Sequence, residues 1–224
     1  MSVVLPNKFS CAARTAVFES PDPVDFRYLA QPGLPAELRV QLEANRFLVT
    51  TSRVSSTVSE HHSMDFVETL LKIPVTVSGT EYLFPVVTYV DHEYSLIRGY
   101  LMGFNKLLRS RPEGADPLTL KLSDLDIDFR AAQEPAHEEA LPREQDFPML
   151  LWTDYSVGRV YSRGFATLAI EDYERKSLVN LNVIRKEQTI AGQKLSVSRL
   201  YEIQDSFVIP HTVPLEDKAI WMPN

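Results

Sequence analysis

From Phe47 onward the chain is written in β-branched and aromatic residues, broken at short intervals by turn signals. That texture limits the fold more than any other feature. Ile73-Pro74-Val75-Thr76-Val77 runs into Ser78-Gly79, and Tyr82 to Leu101 resumes as strand. Leu118, Leu120 and Leu122 alternate, then Leu125, Ile127 and Phe129 alternate in the opposite phase, so Ser123-Asp124 marks a bulge or a turn. Strand texture returns at Arg159 to Ile170. Residues 178–184 and 195–201 then form a long hairpin joined around Ala191-Gly192. The expected class is β-rich α+β, a single domain of antiparallel strands with a few short helices. A curled antiparallel sheet or a partly open β-barrel is the economical way to cover so many edges.

Three segments break the pattern. Residues 1–34 carry Pro6, Pro21, Pro23 and Pro32 and read as an extended N-terminal arm, leaving 35–224 as the domain. Residues 35–44 begin with Pro35 and place Leu38 and Leu42 on one face, which predicts a short helix. Residues 130–148 are charged and proline-punctuated and read as an exposed loop.

Composition enters by exclusion. Asp plus Glu outnumber Lys plus Arg by 30 to 23, for a net charge of −7, and no basic cluster exceeds a pair such as Arg185-Lys186. A nucleic-acid or membrane-surface partner is therefore not expected. No apolar run approaches the ~20 residues of a membrane span, and the N-terminus lacks the pattern of a signal peptide. With Cys11 alone, no internal disulfide can form, and a cytoplasmic location is expected. Glu60-His61-His62 invites a metal reading, but adjacent histidines on a strand point to opposite faces, so no metal site is expected. With 8 glycines and no Gly-rich phosphate loop, a nucleotide cofactor is not expected either.

One stretch raises a chemical question. Residues 99–108 read GYLMGFNKLL, setting Lys106 among Leu101, Met102, Phe104, Leu107 and Leu108. Either the ammonium extends into water on its apolar stem, or apolar surroundings strip it of a proton and make it a nucleophile. The longer run YVDHEYSLIRGYLMGFNKLL (89–108) resembles the central motif of the acetoacetate decarboxylase family. Tyr89, Asp91, Glu93, Gly99, Gly103, Phe104 and Lys106 fall on matching positions, with one residue deleted between the glycines. FVETLLKIPVTVSG (66–79) resembles the family's segment with a glutamate five residues before Ile-Pro-Val, and 177–203 resembles its late hairpin.

The resemblance implies that Lys106 forms a Schiff base with an oxo acid, with Glu68 as the active-site glutamate. The protonated imine is an electron sink beside the breaking bond, but the amine must first be neutral, and free lysine has pKa ~10.4. Desolvation by the apolar run is the expected means of lowering it. Glu93 is read as a structural hydrogen-bonding partner in the sheet. The departures matter too. Asn105 stands at the family's proline and is expected to relax the turn, while Leu107 replaces a second lysine. An acidic position of the family falls on Arg53 by ungapped count, which would supply a carboxylate anchor. Arg98 is a second candidate anchor, although alternation along a strand would point it elsewhere. Tyr100 and Phe104 complete the substrate-binding set.

The function expected is thus a cofactor-free lyase on a small β-keto acid, decarboxylation leading. Aldol or dehydration chemistry through the same imine, or a ligand-binding member without catalysis, are the alternatives. The family commonly assembles into homo-oligomers, and one is expected here.

Overall fold

A computed structural model describes residues 4–59, 62–110, 120–122, 127–129, 131–135, 142–157, 160–183, 187–190 and 193–215. Glu60, His61, Ser123-Asp124, Arg185-Lys186 and Ala191-Gly192 lie outside the described residues, with the readings placed on them. The first strands are β1 (Val4–Asp25), β2 (Glu43–Ser59), β3 (His62–Val77), β4 (Thr80–Val90) and β5 (Lys106–Leu108). Then come β6 (Leu120–Leu122), β7 (Ile127–Phe129), β8 (Ala131–Pro135), β9 (Leu150–Val157) and β10 (Val160–Leu168). The last are β11 (Glu171–Val183), β12 (Glu187–Ile190) and β13 (Gln193–Pro214). Helix α1 (Ala36–Arg39) precedes β2, and α2 (Glu93–Met102) lies between β4 and β5.

Among the described residues most strands form one large sheet in the order β5-β4-β3-β2-β1-β13-β10-β9, with β11, β12 and β8 branching from it, while β6 and β7 pair antiparallel in a separate two-stranded sheet. The large sheet's pairings are antiparallel except β4 with β5. It curls rather than closing into a barrel. Its far end returns to β4 through a bridge between Leu83 and Met149 and the Leu83 N–H to Pro148 carbonyl bond of 3.0 Å.

The stretch read as an N-terminal arm contains β1. β1 pairs with β2 on one side and β13 on the other, at the centre of the sheet. Pro21 and Pro23 lie where the β1–β2 register shifts, between Glu19 and Val24, so the missing N–H groups fall in a break of the ladder. Phe18 of β1 stacks on Phe47 at 5.0 Å between ring centroids, and Phe26 meets the same ring edge-on at 4.8 Å. Leu38 and Leu42, predicted on one helical face, are both buried in this core. The turn after Val77 has φ of 50° at Ser78 and 80° at Gly79, the left-handed pair a two-residue hairpin needs.

Two expectations change. β8 within 130–148 pairs with β11, so that segment is not all loop. The second is α2, where strand texture predicted a strand through Leu101. His92 Nδ1 caps the helix by accepting from the Tyr94 N–H at 3.2 Å. Gly103, with φ of 102°, ends it in the left-handed conformation glycine allows. Its buried residues Ser95, Arg98, Gly99 and Met102 follow the helical i, i+3, i+4, i+7 spacing. Glu93 is therefore an exposed first-turn residue, not a partner in the sheet. Asp91 makes the link to β3, its Oδ1 accepting from the Val67 N–H at 2.7 Å.

Candidate active site

Lys106 opens β5, and its side chain lies back across α2. Nζ donates to Glu68 Oε2 at 3.0 Å and to Ser95 Oγ at 3.0 Å. The lysine side chain is 5% exposed and that of Glu68 22%, so the pair sits at the inner edge of a hollow. The Phe104 and Phe66 ring centroids lie 5.5 and 5.8 Å from Nζ. This path exists because residue 99 is glycine: a Cβ there would meet Lys106 Cε at 2.2 Å and Cδ at 2.4 Å.

The turn carrying the lysine is held, not relaxed. Asn105 Nδ2 donates to the Leu29 carbonyl at 2.8 Å and the Val86 carbonyl at 3.0 Å. The Asn105 carbonyl accepts from the Thr88 N–H at 2.9 Å. A side-chain amide thus supplies the restraint that a proline ring would have given.

The hollow is a cavity of about 620 Å³, within the range of pockets that hold drug-sized ligands. One wall is the even-numbered side of β3: Met64, Phe66, Glu68, Leu70 and Lys72. The period of two along a strand puts them on one face. α2 contributes Ser95, Arg98 and Met102, and β13 contributes Asp205, Phe207 and Ile209.

The sequence-predicted residues divide cleanly. Lys106, Glu68, Arg98 and Phe104 line the cavity. Arg53 does not: it pairs with Val67 and Ala12, whereas Glu68 pairs with Ser52. One residue out of phase, Arg53 is exposed on the opposite face of the sheet. Tyr100 is 50% exposed and is not among the cavity-lining residues. Arg98 reaches the cavity because its element is a helix, and its guanidinium lies 5.1 Å from the Phe9 ring centroid. The expected apolar wall also shrinks. Met102 and Phe104 take part, while Leu107 and Leu108 are 46% and 51% exposed. Phe66 and Leu70 of β3 complete it.

Burial dominates the electrostatics. It pushes the Lys72 ammonium down to about 8, a shift that the Glu68 charge partly opposes. It raises Asp205, against the hydrogen bond from Tyr173 and the charge of Arg175. It raises the Cys11 thiol, with Asp205 and Glu68 adding to the effect. Arg98 is lowered by burial, against the charge of Tyr94.

No protein-family model and no curated protein matches the chain by sequence. Solved structures do match in shape. The enduracididine biosynthesis enzyme MppR complexed with pyruvate superposes with a TM-score of 0.60 at 13% identity, covering 97% of this chain and 93% of that one. An acetoacetate decarboxylase-like enzyme from Sphingomonas wittichii RW1 gives 0.58 at 17%, covering 96% and 94%. Acetoacetate decarboxylase from Legionella pneumophila gives 0.59 at 15%, covering 96% and 89%. The chain has the acetoacetate decarboxylase-like fold.

Within this fold, Ser95, Lys72 and Asp205 are among the cavity residues that sequence reasoning missed. Ser95 was hidden by reading α2 as strand. Lys72 carried a usable signal, since it lies four residues after Glu68 and so on the same strand face. Asp205 on β13 carried none, because its place opposite Cys11 depends on the register of a long-range pair.

Proposed function

We propose that the protein is a cofactor-free enzyme that binds a small oxo acid as an imine on Lys106 and cleaves a carbon–carbon bond, decarboxylation first among the outcomes. The observation that carries this reading is the buried amine held by Glu68 and Ser95 at the edge of a cavity.

The steps follow from electron demand. Glu68 takes the proton that Lys106 must shed, and the neutral amine adds to the ketone carbon. Glu68 returns the proton to the departing hydroxyl, water leaves, and a protonated imine remains. Arg98 holds the substrate carboxylate until the carbon–carbon bond breaks. The bonding electrons then pass to the imine nitrogen, giving an enamine and carbon dioxide. Protonation at carbon and hydrolysis release the product ketone and the free lysine.

Aldol condensation followed by dehydration is the second reading. It is favoured by the likeness to MppR, which has been solved with pyruvate and with the condensation product of pyruvate and imidazole 4-carboxaldehyde. An enamine on Lys106 attacks an aldehyde in that case instead of taking a proton.

The test is product analysis. Wild-type protein and Lys106→Ala are incubated with acetoacetate, and separately with pyruvate plus an aldehyde. Carbon dioxide or a condensation product from the wild type alone supports the enzyme. Equal background from both supports a ligand-binding protein.

The reading includes a homo-oligomer, in which exposed Leu107 and Leu108 on edge strand β5 would be covered. Light scattering on purified protein checks it. Among the described residues no helix is long and apolar enough to cross a membrane.

A further inference from the structure

Lys72 lies on the same face of β3 as Glu68 and lines the same cavity. It is 6% exposed, between Leu48 on β2 and Pro85 on β4 in the sheet register. Leu70 and Leu83 wall the cavity near it. Among the described residues its ammonium forms no ion pair or hydrogen bond; Glu68 acts on it through space. A charge removed from water without a partner costs several kcal/mol or loses its proton. A packing role would be met as well by Met or Leu, without that cost. The burden is explained if the cavity's occupant brings the partner.

We infer that Lys72 anchors a second carboxylate on the substrate, so that the site takes an oxo diacid rather than a simple oxo monoacid. This rests on the imine reading only for the oxo group. The geometry sets the distance: four residues of strand separate Glu68 from Lys72, about 13 Å between their Cα atoms. A ligand with one end at Lys106 and Arg98 and the other at Lys72 would bridge two separate anchors along this wall. The volume of about 620 Å³ accommodates it.

Charge argues for a carboxylate over a phosphate. The cavity is lined by Lys72, Arg98, Lys106 and Arg175 against Glu68, Asp146 and Asp205. One ammonium on an apolar wall neutralises one negative charge; a dianion would leave the second buried and unbalanced.

The experiment uses ligands that cannot form an imine, so that it is independent of Lys106 chemistry. Calorimetric titration of the wild type at neutral pH compares succinate, glutarate, adipate and pimelate with butyrate, hexanoate and 3-phosphonopropionate. A dicarboxylate longer than succinate is expected to bind about tenfold or more tightly than the monocarboxylates. Lys72→Met is expected to remove that preference, and Lys72→Arg to keep most of it. No dicarboxylate preference in the wild type, an equal preference in Lys72→Met, or tighter binding of the phosphonate would overturn the assignment. Borohydride trapping with an oxo diacid separates the two readings: an adduct on Lys72 overturns this one, and an adduct absent everywhere overturns only the imine.

Discussion

Gly99 and Lys106 share one volume: the lysine's methylenes occupy the space that a Cβ on residue 99 would fill. The helix and the lysine are thereby fitted to one another, and the amine is delivered to Glu68 and Ser95 over the helix backbone. Gly99→Ala is predicted to displace the amine while leaving the sheet intact. Misplacing a reacting atom by ~1 Å costs on the order of 10²-fold. Steady-state kcat/KM, read beside an unchanged far-ultraviolet circular dichroism spectrum, checks it.

Glu68→Gln keeps the shape of the contact to Lys106 but cannot take its proton. Imine formation is expected to slow by about 10²-fold or more, while circular dichroism and the thermal midpoint stay near wild type. Stopped-flow observation of adduct formation measures the rate.

Arg98 and Arg53 form a matched pair of tests. Arg98 lines the cavity and Arg53 is exposed on the far face. Arg98→Lys is expected to raise KM for an oxo acid about tenfold, since the planar fork that grips a carboxylate is lost. Arg53→Ala is expected to leave both kcat and KM unchanged.

Lys72 makes a prediction about stability and pH. Its folded-state value is pushed down to about 8 from 10.5, so between those values the unfolded chain binds more protons. Wild-type stability then rises with pH across that window, and the cost of the buried charge is fully present below it. Lys72→Met should raise the thermal midpoint of the ligand-free protein at pH 7, and the gain should fade between pH 8 and 10.5. A gain that stays constant across that range would show that the ammonium carries no such cost.

Asn105 tests why the turn tolerates the loss of a proline. Removing its two side-chain bonds leaves the Leu29 and Val86 carbonyls short of a donor. Asn105→Ala is expected to cost about 1–3 kcal/mol, seen as a lower urea midpoint.

What the sequence made legible was local. Alternation along β3 and the Ser78-Gly79 turn carried the sheet, and the run around Lys106 carried the candidate nucleophile. Helix α2 was obscured because Ile97, Tyr100 and Leu101 have strand texture. Its better signals were the capping His92, the terminal Gly103 and the helical spacing of Ser95, Arg98, Gly99 and Met102. The place of β1 was not legible at all. Prolines argued for an arm, and only pairing with β13, almost two hundred residues away in sequence, makes it a central strand. Arg53 was misplaced for a related reason: a count along the chain fixes a position, but a strand reverses its face with every residue.

The most direct test of the central claim is covalent. Protein incubated with acetoacetate and sodium borohydride, digested and mapped by tandem mass spectrometry, is predicted to carry a reduced adduct on the peptide containing Lys106. Glu68→Gln is predicted to carry less at equal time. An adduct on surface lysines alone, or none on Lys106 across a broad panel of oxo acids, would contradict the account.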